Sequence, residues 1–120
     1  MPTSPAASLP QGRIVIGLLA WFLPNVAARA FGLKPKDNPQ ASFITRLFGI
    51  RDATLGVAQM QMSGPARRLA WQLGIVVDAA DAAAAALAAR NGTMSKPTAV
   101  LAGGIALAAV AMGVAALQEE

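Results

Sequence analysis

Apolar residues run along this chain in four blocks separated by short polar breaks, a pattern that predicts helices joined by tight connections. The last block, Thr98 to Leu117, holds twenty residues without a charge and is the clearest membrane-length span. The first runs from Arg13 to about Leu33, densest from Ile14 to Leu23. That dense part is too short for ~30 Å of hydrocarbon, so the span must continue through Pro24, Asn25 and Ala27–Ala30, kinked at Pro24. Gly32 to Gln40 is a loop with two prolines and three charges. The second block, Ala41 to Met62, ends at the reversal Ser63-Gly64-Pro65, and the third runs from Ala66 to about Arg90 before the turn Asn91-Gly92-Thr93. The prediction is all-α: a four-transmembrane-helix antiparallel bundle over residues 12–117, with helices at about 13–33, 41–62, 66–90 and 98–117. Residues 1–11, rich in Pro, Ser and Ala, read as a disordered tail, and 118–120 as a C-terminal tail. A second reading of the first block is a cleavable signal segment, with Ala28-Arg29-Ala30 as its small-x-small site.

Composition supports the membrane reading. The chain is 55% hydrophobic, and its 13% charged residues are about half the ~25% of a soluble domain, too few to cover a core this size. It contains no Cys, His or Tyr. Disulfides, thiolate and imidazole metal sites, and Cys or His catalysis are thereby excluded. The net charge of +4 comes with no basic run or interleaved aromatics, so nucleic acid is not an expected partner. The basic residues read instead as contacts with lipid headgroups, the bilayer being the expected partner. Arg29, Lys34, Lys36, Arg46, Arg90 and Lys96 fall on one face of the membrane, and Arg13, Arg67 and Arg68 on the other. This bias predicts cytoplasmic loops in a multi-pass protein of the bacterial plasma membrane. Trp71, just inside Arg67 and Arg68, is expected in an interfacial aromatic belt.

The candidate chemistry is a set of charges inside apolar blocks: Arg46, Arg51 and Asp52 in the second, Asp78 and Asp81 in the third. Apolar residues of the second block favour insertion by ~4 kcal/mol in sum, while Arg51 and Asp52 together cost roughly 5–7 kcal/mol. This helix therefore needs a partner in the bilayer. Counted from the turn at Gly64-Pro65, Arg51 and Asp78 lie at the same depth, which predicts a buried Arg51–Asp78 pair and a looser Arg46–Asp81 pair. Asp52 points about 100° away from Arg51, toward the Asn25 amide or another subunit. The five charges sum to −1, so one carboxylate is short of a cation. Asp52, Asp78 and Asp81 around Mg²⁺ is a further reading that the adjacent Arg51 opposes, and no metal or cofactor is expected. Gly49 with Ala53 and Gly56, and Ala99 with Gly103, give small-residue faces for close helix contact, a weak signal in so alanine-rich a chain.

With these residues placed, the chain resembles the DUF4267 group of small four-helix membrane proteins found in actinobacteria. The matching elements are Arg46-Leu47-Phe48-Gly49-Ile50-Arg51-Asp52 with Leu55-Gly56 (the pattern R-x-x-G-x-R-D-x-x-L-G), then Arg68, Trp71, Asp78 and Asp81. The resemblance implies that the charged hairpin is the group's defining feature, and it implies no activity. The expected function is that of a non-enzymatic structural or accessory membrane subunit, alone, as a homo-oligomer or with a membrane protein partner. The alternative is a proton- or ion-coupled carrier of small molecules acting as an oligomer.

Overall fold

The computed structural model describes residues 4–120, and among them forms five helices and no strand. They are α1 (Pro5–Phe22), α2 (Pro24–Ala30), α3 (Ala41–Gln61), α4 (Gly64–Asn91) and α5 (Lys96–Gln118). Proline sits in the first turn of α1, α2, α4 and α5, where its missing N–H costs nothing. The four long helices run antiparallel to their neighbours, in a body 45 × 29 × 27 Å.

The first block differs most from its prediction. Its helix starts at Pro5 rather than Arg13, so the expected tail is helical over residues 5–11, and residues 1–3 lie outside the described ones. Burial explains the early start: Leu9 and Pro10 lie on the inner face, and Leu9 packs with Trp71 and Ala116. The predicted Pro24 kink is a break at Leu23 instead, with Pro24 starting α2, which is bent by 120° from α1. α2 thus folds back over α3, and its end is closed by Gly32 at φ +85°, with the Leu33 N–H donating to the Ala28 carbonyl. The segment also read as cleavable is packed into the bundle through Arg13, Gly17 and Ala20.

Two seams hold the helices in pairs. α1 and α3 meet through Gly17, Gly49 and Gly56. A Cβ on Gly17 would fall into the Gly49 carbonyl, and one on Gly56 would come within 2.7 Å of the Pro10 carbonyl oxygen. α4 and α5 meet through Ala85 opposite Gly103 and Ile75 opposite Gly113. Small side chains let backbones approach closely, which is how helices associate where lipid supplies no hydrophobic drive.

The molecule is inverted relative to a water-soluble bundle. Among the described residues the buried apolar side chains are mostly Ala, joined by Leu9, Pro10, Pro24 and Trp71, whereas Val100 (73% exposed), Phe22 (70%) and Val15 (66%) face outward. A surface like this associates in water and is solvated in lipid. α4 and α5 are each long and apolar enough to cross a membrane, and α1 with α2 would count as a third span if taken together. Trp71 is not in an interfacial belt. It is fully buried, with the Arg67 guanidinium 5.9 Å from its ring centre.

Candidate functional site: an Arg13-centred ion cluster in an apolar cleft

The centre of the bundle is occupied by Arg13, which sequence reasoning placed at the membrane surface. The inner face of α1 carries Leu9, Arg13, Gly17 and Ala20, spaced by three or four residues. Arg13 lies eight residues into α1, about 12 Å along its axis. Its side chain is 4% exposed and crosses the space between α1 and α4.

One guanidinium serves two carboxylates. Nη1 donates to Asp52 Oδ1 at 2.7 Å and to Asp78 Oδ1 at 3.2 Å, and Nη2 donates to Asp78 Oδ2. The Asp78 contact is therefore the bidentate fork to which the planar guanidinium is matched. Side chains of Asp52 and Asp78 are 10% and 7% exposed. Asp52 is eleven residues into the 21-residue α3, and Asp78 fourteen into the 28-residue α4, so both sit at the middle of their helices. Gly74, one turn before Asp78, leaves room for the guanidinium: a Cβ there would stand 3.2 Å from Arg13 Nη2 and 2.6 Å from Gln59 Nε2. Gln59 in turn donates to the Ala70 carbonyl at 3.4 Å.

The other predicted pairings are rearranged. The buried partner of Asp78 is Arg13 and not Arg51, because the inner stripe of α3 is Thr45, Gly49, Asp52, Gly56 and Gln59. Arg51 lies about 100° off that stripe. It pairs with Asp81 at 2.8 Å in a half-exposed contact, with its guanidinium 5.3 Å from the Phe48 ring centre. Arg46 does not pair with Asp81. Its Nε donates at 3.0 Å to the Trp21 carbonyl, just before the α1–α2 break. Asn25 is exposed on α2 and does not meet Asp52, whose partner is Arg13. Of the three carboxylates considered for Mg²⁺, Asp52 and Asp78 turn to Arg13 and Asp81 turns to Arg51.

The cluster lines a cleft of about 680 Å³ between the helix pairs. Arg13, Asp52, Asp78 and Asp81 are its charged residues, Ser8 and Thr45 add hydroxyls, and the rest of the wall is apolar, with Phe31, Phe48, Ala85, Ile105, Ala106 and Met112. Thr98 also lines it, its hydroxyl 3.5 Å from the Gly32 carbonyl oxygen. The volume lies within the roughly 300–1,000 Å³ usual for small-molecule sites, which are mostly apolar with few polar groups.

Fold and site together define a small all-α protein with apolar helices of membrane length and a buried Arg–Asp ion cluster beside an apolar cleft. A family described as a domain of unknown function (DUF4267) matches residues 11–117, and the chain belongs to that family. No curated protein and no solved structure matches it.

Proposed function

We propose that this is a non-enzymatic, four-span protein of the bacterial plasma membrane that holds an amphipathic small molecule taken from the bilayer, acting as an accessory binding subunit. The observation that carries the reading is the cleft: mostly apolar walls with the charged side chains Arg13, Asp52, Asp78 and Asp81 grouped together in it. A molecule with an apolar body and one polar group fits that distribution. The fourth span is α3, whose 21 residues reach about 32 Å. Its charges are compensated, Asp52 by Arg13, Arg51 by Asp81 and Arg46 by the Trp21 carbonyl, which removes most of the cost of burying them. Loops bearing Arg29, Lys34, Lys36, Arg90 and Lys96 face the cytoplasm in this arrangement.

Photolabelling tests the reading. A long-chain alcohol carrying an aliphatic diazirine, in vesicles of the purified protein, should label cleft residues such as Ile105 and Met112 saturably. Ala106→Trp, which fills the cleft from its α5 wall without altering a charge, should abolish that labelling. Unsaturable labelling spread over outward residues such as Leu107, unchanged by Ala106→Trp, would refute it.

Proton- or ion-coupled carriage is the second reading, favoured by the access of the cleft to Asp52, Asp78 and Asp81. It requires transbilayer movement of the bound molecule to follow a pH or ion gradient, and a flux indifferent to every gradient would remove it.

A further inference from the structure

The buried part of the cluster does not balance. Arg51 and Asp81 form a half-exposed pair of their own and Arg46 turns to the Trp21 carbonyl, so the single guanidinium of Arg13 faces two buried carboxylates, Asp52 and Asp78, and this triad carries a net −1. Both Asp78 oxygens accept from Arg13; Asp81 accepts from Arg51 through Oδ2, and its Oδ1 belongs to a half-exposed side chain whose charge is already matched one to one. Asp52 accepts through Oδ1 alone. Asp52 is 7% exposed, and Oδ2 accepts no hydrogen bond from any described residue. Yet this oxygen is not among the buried side-chain atoms sealed off without a partner, and its residue lines the cleft. A carboxylate oxygen with capacity to spare thus opens into an apolar cleft with a deficit of one positive charge.

We infer that the cleft selects an amphiphile with a single cationic head, a primary amine or small ammonium, whose charge lies against Asp52 and whose apolar body lies along the alanine-rich walls. This rests on the amphiphile-binding reading above and names the class of its ligand. Charge complementarity decides it: a neutral head leaves the deficit in place, and an anionic head adds to it in a low dielectric. A hydrogen-bond-donating cation satisfies both the lone pairs of Oδ2 and the net charge.

The test is competition against the diazirine alcohol by three amphiphiles of equal chain length: dodecylammonium, dodecanol and dodecanoate, in vesicles of the intact protein. Dodecylammonium should displace the label at a membrane concentration at least roughly ten-fold below dodecanol, and dodecanoate should be weakest. Asp52→Asn should erase the advantage of the amine and leave dodecanol unaffected. Equal displacement by all three, with cleft labelling intact, would overturn the charge inference while leaving amphiphile binding standing. That result would mean a proton supplies the missing charge. If the alcohol never labels the cleft saturably, the binding reading itself falls. Should Asp52→Asn not fold, the order of the three competitors on the unaltered protein still decides.

Discussion

Replacing Gly49 with Ala adds one methyl group, and the structure gives that methyl nowhere to go. An ideal Cβ on Gly49 would stand 2.5 Å from the Gly17 carbonyl oxygen, 2.8 Å from Ala20 Cβ and 3.2 Å from the Trp21 nitrogen. Carbon contacts are relaxed at about 3.5–4.0 Å, so α1 and α3 must part by about 1 Å at this level. Two of the obstructing atoms are backbone and cannot rotate away, which puts the cost at the upper end of the overpacking range, about 3 kcal/mol. The better helix propensity of Ala returns about 1 kcal/mol, for a net loss of about 2 kcal/mol. Gly104 is the control: it too is helical, but a Cβ there meets nothing within 4 Å. Gly104→Ala should therefore stabilise by about 0.5–1 kcal/mol. Loss of helicity by circular dichroism as SDS is titrated into mixed micelles measures both variants on one scale. If the two substitutions shift the midpoint in the same direction, the α1–α3 seam is not as close as described.

Removing the central cation should cost far more than removing the peripheral one. Arg13→Gln strands two buried carboxylates and should destabilise by about 3–5 kcal/mol, whereas Arg51→Gln breaks a half-exposed pair (Arg51 side chain 42% exposed) and should cost at most about 1 kcal/mol, both read by the same titration. Adding Asp52→Asn and Asp78→Asn to Arg13→Gln should restore part of the loss, because the stranded charge and not the missing contact dominates. Trp71→Ala should lose about 3–5 kcal/mol, since the ring is fully buried with Leu9 and Ala116 rather than lying at the lipid interface. A loss under about 1 kcal/mol there would return Trp71 to the interface.

The helical class of the chain and the positions of its breaks were legible in the sequence because membrane-length apolar runs and turn residues are local signals. Two further facts needed three-dimensional context. The register of α3 decides which of the neighbours Arg51 and Asp52 faces inward, and a depth count from the turn is blind to rotation about the helix axis. Gly49, Ala53 and Gly56 carried that rotation: Asp52 falls within their stripe, and Arg51 does not. Arg13 was hidden for another reason. Its helix begins eight residues earlier, in a Pro- and Ser-containing stretch whose helicity comes from tertiary burial of Leu9 and Pro10 and not from propensity. The clue that remained was the −1 sum of the five charges in the apolar blocks, which Arg13 brings to zero overall while the buried trio of Arg13, Asp52 and Asp78 keeps a net −1. α2 left no such clue, because a proline after an apolar run marks a kinked span and a folded-back helix equally well.

The central claim is that Arg13 reaches across the bundle to Asp78, and a double-mutant cycle tests it most directly. Arg13→Gln, Asp78→Asn and their combination should show coupling in the upper half of the roughly 0.5–3 kcal/mol seen for residues in contact. The parallel cycle of Arg51→Gln with Asp78→Asn should be additive within about 0.5 kcal/mol. Additivity between Arg13 and Asp78, or stronger coupling of Asp78 to Arg51 than to Arg13, would contradict the arrangement.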